Sequence, residues 1–179
     1  MASIKSIKRW GCPLLHVCTI GLTFCAAGVS AQVVGDEAEM DRLQARADEL
    51  IANSDPEGAA MSMGRAALMA AQLAKRQGEA PAGRLYRGAE TLYRAEEYGY
   101  RALALFQRAG GQAPASTGVC HTAESARAGI QQAQATLTFD DQTTQQLSPK
   151  ERTRLTTLRA TADDWTTVVA SMQSDFQCP

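Results

Sequence analysis

Histidine is scarce in this 179-residue chain: His16 and His121 are the two that occur. Mechanisms built on an imidazole base therefore have almost nothing to draw on. No Cys-x-x-Cys pair is present, which removes the covalent haem signature and the usual redox dithiol. No apolar run reaches the about 20 residues that a bilayer-crossing helix needs. Strand-like alternation of apolar and polar residues is hard to find, so a sheet has no source. Lysine and arginine gather on no expected face, and nucleic acid is excluded as a partner on that ground.

What is present begins with an export signal. Lys5, Lys8 and Arg9 form a positive start, an apolar run from Leu14 to Ala27 follows, and Val29-Ser30-Ala31 offers small residues at a cut. Thr19, Gly21 and Thr23 interrupt the run, which is too short for a retained anchor. Phe24 before Cys25 and Val17 before Cys18 do not suit a lipid-anchored cysteine. Residues 1–31 are thus expected to be cleaved, leaving 32–179 as one periplasmic or secreted domain with no transmembrane segment. That remainder is long enough for one real core and too short for two. Three bases and no acid leave with the signal, so 15 of the 18 bases oppose all 19 acids, a net charge near −4. Cys12, Cys18 and Cys25 leave as well. Cys120 and Cys178 remain, and in an oxidising compartment they are expected to pair.

From Asp36 onward the apolar spacing is helical. Asp36 and Glu39 form a capping box for a first helix whose seam is Met40, Leu43, Ala47 and Leu50. Asn53-Ser54-Asp55-Pro56 breaks the chain and restarts it, with Asp55 as cap and Pro56 at the first helical position. The second helix runs to about Gln77, where Gly78 fits its end. Its many alanines allow close approach by neighbours, and it is expected to be central. After the turn at Gly78-Glu79-Ala80-Pro81, Tyr86, Tyr93 and Tyr100 recur seven apart, with Leu103 and Phe106 continuing the pattern. One long helix to Ala109 and two shorter ones broken near Gly99 both fit.

The last two helices are the most sharply patterned. Ala123, Ala126, Ile130, Ala133 and Leu137 make one stripe of a helix from about Val119 to Thr138. A polar loop from Asp140 to Gln146 follows. Ser148-Pro149-Lys150-Glu151 is a strong start signal. Beyond it, Leu155, Leu158, Ala162, Trp165, Val169, Met172 and Phe176 keep the three-four rhythm of an amphipathic helix. Packed antiparallel, these helices bring Cys120 beside Cys178. Closing that loop removes unfolded-chain entropy equivalent to roughly 4 kcal/mol.

Tyr86, Tyr93, Ala102, Phe106, Ala109 and Pro114 also match a known pattern. By them, residues 83–116 resemble a single tetratricopeptide repeat, a helix pair used in protein-binding arrays. Ala89 and Glu90 stand where that pattern has Leu-Gly, and Gly99 where tyrosine is common. The resemblance implies a helical break near Gly99 and a partner groove along the first helix of the pair. The competing reading is a tyrosine seam on one long helix.

Candidates for chemistry are few. His121 adjoins Cys120, but a disulfide occupies that thiolate and no second histidine completes a metal site. Met61, Met63 and Met69 are donors that suit Cu(I), yet Met61 and Met63 point about 200° apart around a helix, and gap-filling explains them as well. Glu124-Ser125 is similar to the Glu-Ser pair of lytic transglycosylases. The segment expected downstream in that family is missing, and Glu124 reads as first-turn dipole compensation. Glu96-Glu97 and Asp163-Asp164 read as solvated helix faces.

The sequence therefore predicts an all-α, single-domain bundle of about five mostly antiparallel helices, stapled by one disulfide. It predicts no catalytic residue and no cofactor. The expected role is a non-enzymatic interaction or accessory subunit of the bacterial cell envelope, contacting a protein partner through Tyr86, Tyr93 and Tyr100. A bundle binding a small molecule or copper, and a cell-wall glycan hydrolase, are the alternatives.

Overall fold

The computed structural model describes the backbone of residues 25–179 and the side chains of residues 36–179. The positive start and most of the apolar run of the expected signal lie outside the described residues. Six helices follow in order: α1 (Cys25–Ala52), α2 (Pro56–Gln77), α3 (Pro81–Arg108), α4 (Thr117–Thr136), α5 (Asp141–Gln146) and α6 (Pro149–Asp175).

Local chemistry sets several boundaries where the sequence places them. The Asp55 carboxylate accepts the Gly58 N–H at 2.8 Å, Pro56 opens α2, and Gly78 closes it at φ 58°. At α6 the Ser148 hydroxyl accepts the Glu151 N–H at 3.3 Å, while the Glu151 carboxylate accepts the Ser148 N–H at 2.7 Å. Asp36 does not start a helix. It lies within α1 and pairs with Arg76 of α2 instead, because a capping side chain loses its task where the helix continues through it. The segment after Asp140 is not a loop: the Asp140 carboxylate accepts the Thr143 N–H at 2.7 Å and nucleates the six-residue α5.

Helix α3 runs unbroken past Gly99, so residues 83–116 contain one helix where the repeat resemblance implied two. Gly99 serves packing. A Cβ there would stand 2.5 Å from the Trp165 ring, so the missing side chain is what admits the indole. The ring also meets Tyr100 edge-on at 4.9 Å.

Pairwise contacts fix the directions. Glu57 pairs with Arg108 and Gly64 abuts Glu97, so α2 and α3 are antiparallel. Arg84 donates to the Thr136 carbonyl at 2.9 Å, and Gly129 abuts Ala95, so α3 and α4 are antiparallel too. Glu37 and Asp41 of α1 pair with Lys150 and Arg154 of α6, which sets those two parallel. The central helix is α3, touching α2, α4, α5 and α6, whereas α2 lies between α1 and α3. Its alanines allow a close approach without making it the hub.

The main core joins Met40, Leu73, Leu85, Leu92, Ile130, Leu137, Leu155 and Leu158. A second cluster of Ala102, Val119, Ala123 and Phe176 seals the far end, where Phe106 stacks on Phe176 at 4.2 Å. There Cys120 and Cys178 are bonded across 58 residues of sequence with Cα atoms 5.4 Å apart. The Ala115 N–H donates to the Phe176 carbonyl at 2.8 Å beside them. No helix among the described residues is long and apolar enough to cross a membrane.

Candidate functional site

The expected contact tyrosines belong to the interior. Tyr86 and Tyr93 are buried in the main core, and Tyr100 is half-buried against Trp165. Two of the hydroxyls have internal partners: Tyr86 donates to Glu37 and Tyr93 to Gln44, the latter at 3.0 Å. Burial pushes all three phenols well above their ordinary range. They correct the sequence reading because a seven-residue seam on the central helix is a core seam. Burial opposes the charge of Glu37, yet hydrogen bonds from Lys150 and Tyr86 hold its carboxyl below the usual value.

The methionines separate. Met61 is 62% exposed and Met63 1% exposed, while Met69 packs half-buried against the core, so no three-sulfur site forms. Among the described residues no three of His, Cys, Asp and Glu come together as metal ligands. His121 is exposed on α4. Glu124 holds the Arg127 guanidinium through both oxygens, at 2.8 and 2.6 Å, and accepts from Gln173 of α6 at 3.1 Å. The hydrogen bond from Arg127 leads in holding its carboxyl below the ordinary value, and its work is to tie α4 to α6.

Glu96 and Glu97 overturn the expectation of a solvated pair: they are 4% and 5% exposed. On a helix wrapped by neighbours, positions that would be wet on a peripheral helix face other helices. Oε1 of Glu96 has no hydrogen-bond partner among the described residues, and burial, with the Asp48 charge adding, raises its carboxyl to about 8. Asp163 and Asp164 are exposed as expected.

Glu97 instead organises a surface. It fits because residue 64 is glycine; a Cβ there would stand 3.0 Å from its carboxyl carbon. From that seat it accepts Arg94 at 2.9 Å and Arg101 at 2.5 Å. Arg101 and Arg94 thus stand beside a groove between α2 and α3, with Arg108 further along held by Glu57 at 3.4 Å. The opposite rim, on α2, carries Met61, Arg65 and Leu68, and Arg46 and Leu50 of α1 line the hollow beyond it. Met61 and Leu68, one heptad apart on α2, are 62% and 53% exposed. Two cavities of about 640 and 240 Å³ share Met61 and Arg101 and make the groove continuous, over a floor that includes Gly64, Ala60 and Ala104. A further 680 Å³ hollow lies between α3 and α4, where Arg87, Arg94 and Tyr98 rise beside Ala95 and Gly129.

The groove lining carries five arginines, Arg46, Arg65, Arg94, Arg101 and Arg108, against three acids, Asp55, Glu57 and Glu97. Residues 56–108 carry eight bases and five acids, while the rest of 32–179 carries seven bases and fourteen acids. The expectation that no face collects arginine is therefore corrected. The signal lay in the sequence: Arg87, Arg94, Arg101 and Arg108 recur every seven residues, the first three each one place after a tyrosine of the seam. Compared with known protein families, with curated proteins and with solved structures, the chain matches none of them.

Proposed function

We propose that this disulfide-stapled bundle is an exported, non-enzymatic accessory subunit that binds a protein partner in the bacterial cell envelope. One observation carries the reading. Met61 and Leu68 stand exposed beside Arg65 on one rim of a groove whose other rim is arginine, while most other large apolar side chains among the described residues are inside. The bond between Cys120 and Cys178 supports an oxidising compartment, which agrees with the signal read in residues 1–31. The site contributes binding chemistry: apolar contact and guanidinium groups, positioned by Glu97.

The test is affinity purification of the full-length chain, expressed with its own signal, from envelope extracts. A stoichiometric protein is expected to co-purify and to be lost with Leu68→Asp, while Val168→Asp on α6 retains it. Recovery of no such protein, or equal recovery by both variants, overturns the reading.

A further inference from the structure

We propose that the groove between α2 and α3 receives an amphipathic, acidic α-helix of that partner, an inference that rests on the accessory-subunit reading and names the chemistry of its binding site. Both rims carry a heptad repeat. Met61 and Leu68 supply apolar seats seven residues apart on α2, and Arg94, Arg101 and Arg108 supply guanidinium groups seven apart on the antiparallel α3. At 1.5 Å per residue the seats lie roughly 10 Å apart and the arginines span roughly 21 Å. A helix laid along the groove presents side chains at that same interval when its own pattern repeats every seven residues. Its apolar stripe rests on Met61 and Leu68, and carboxylates beside that stripe reach the arginines.

The charges select this occupant over a bare anion. Glu97 beneath Arg94 and Arg101 already neutralises part of their charge, so no single point in the groove concentrates positive potential. Carboxylates distributed along a rod meet Arg65, Arg101 and Arg108 one at a time. A bilayer surface is flat, whereas Gly64, Ala60 and Ala104 lie on the floor of a concavity. Arg94 and Arg101 are pre-positioned by Glu97, which limits the rotamer freedom lost on binding.

The experiment places a photo-reactive amino acid at position 68 of the full chain in living cells, with position 168 on α6 as control, and maps the cross-linked segment by mass spectrometry. The expected product at 68 is a partner helix with apolar residues at heptad spacing flanked by Asp or Glu. Combined Arg65→Glu and Arg108→Glu, neither of which seats Glu97, is expected to cut the cross-link at least tenfold while the thermal unfolding midpoint shifts by no more than a few degrees, and replacing the partner's acids by lysine is expected to restore it. A cross-link to a basic or neutral segment, to lipid or to a second copy of this chain overturns the acidic-helix assignment, as does indifference to the charge reversal. A non-acidic protein segment at 68 leaves the accessory-subunit reading standing; no cross-link at 68 together with no co-purifying protein removes both.

Discussion

Two ladders run along α3, offset by a single residue: Tyr86, Tyr93 and Tyr100, and then Arg87, Arg94, Arg101 and Arg108. Both repeat every seven residues. One step around a helix is about 100°, and that step separates the core from the outside. Tyr86 and Tyr93 bury their rings and hand their hydroxyls to Glu37 and Gln44, and Tyr100 packs its ring on Trp165, so the period records packing against α1 and α6. The arginines keep their heads toward solvent and share Glu97, Glu57 and Glu79. An identical period therefore carries two meanings, and the chemistry of the side chain tells them apart: an aromatic heptad on a central helix is interior, a guanidinium heptad is rim.

The sharpest way to break this contrast is to truncate one rung of each ladder. Tyr93→Ala empties a fully buried site and is expected to lower unfolding free energy by roughly 3–5 kcal/mol in urea titrations. A loss under 1 kcal/mol there would mean that the seam is not core.

Next in size is the acid beside the seam. Glu96 has its folded value raised from 4.5 to about 8, so the native state keeps a proton that the unfolded chain releases. The contribution of this group to stability is accordingly full below pH 4.5, falls as pH rises above that, and levels off beyond about 8. The expected decline between these limits is roughly 2–4 kcal/mol. Glu96→Gln should flatten it, and denaturant midpoints measured across that range check the slope.

The rim behaves non-additively. Arg94→Ala or Arg101→Ala alone leaves Glu97 one partner and is expected to cost under about 1 kcal/mol. The two together strand a buried carboxylate and should cost about 2 kcal/mol more than the singles added. A double-mutant cycle measures the excess. Smallest of all, Arg108→Ala removes an exposed pair and should change stability by less than about 0.5 kcal/mol, within the scatter of surface substitutions.

Much of the architecture was legible in the residues. The caps at Asp55 and Ser148, the glycine stop at Gly78, the stripe of α4 and the seam of α6 are local signals. Local signals survive where neighbours do not contradict them. The pairing of Cys120 with Cys178 followed from antiparallel packing of two such helices. What escaped was set by neighbours. Asp36 and Glu39 have the letters of a helix start, yet α1 continues through them. Glu96 and Glu97 carry the mark of a wet face, and only the placement of α3 among α1, α2, α4 and α6 turns them inward. Gly64 looks like a weak point in a helix and is the gap that seats Glu97. The groove went unseen because its rims belong to different helices, and a pattern read along one chain does not register what stands across from it.

The disulfide lies at the end of the molecule opposite the connector that joins α4 to α6. A protease that cuts once within Asp141–Gln146 severs the chain but not the molecule. The two fragments stay covalently joined until a reductant opens the bond between Cys120 and Cys178, so the bundle survives a nick that would divide a helical hairpin lacking that bond.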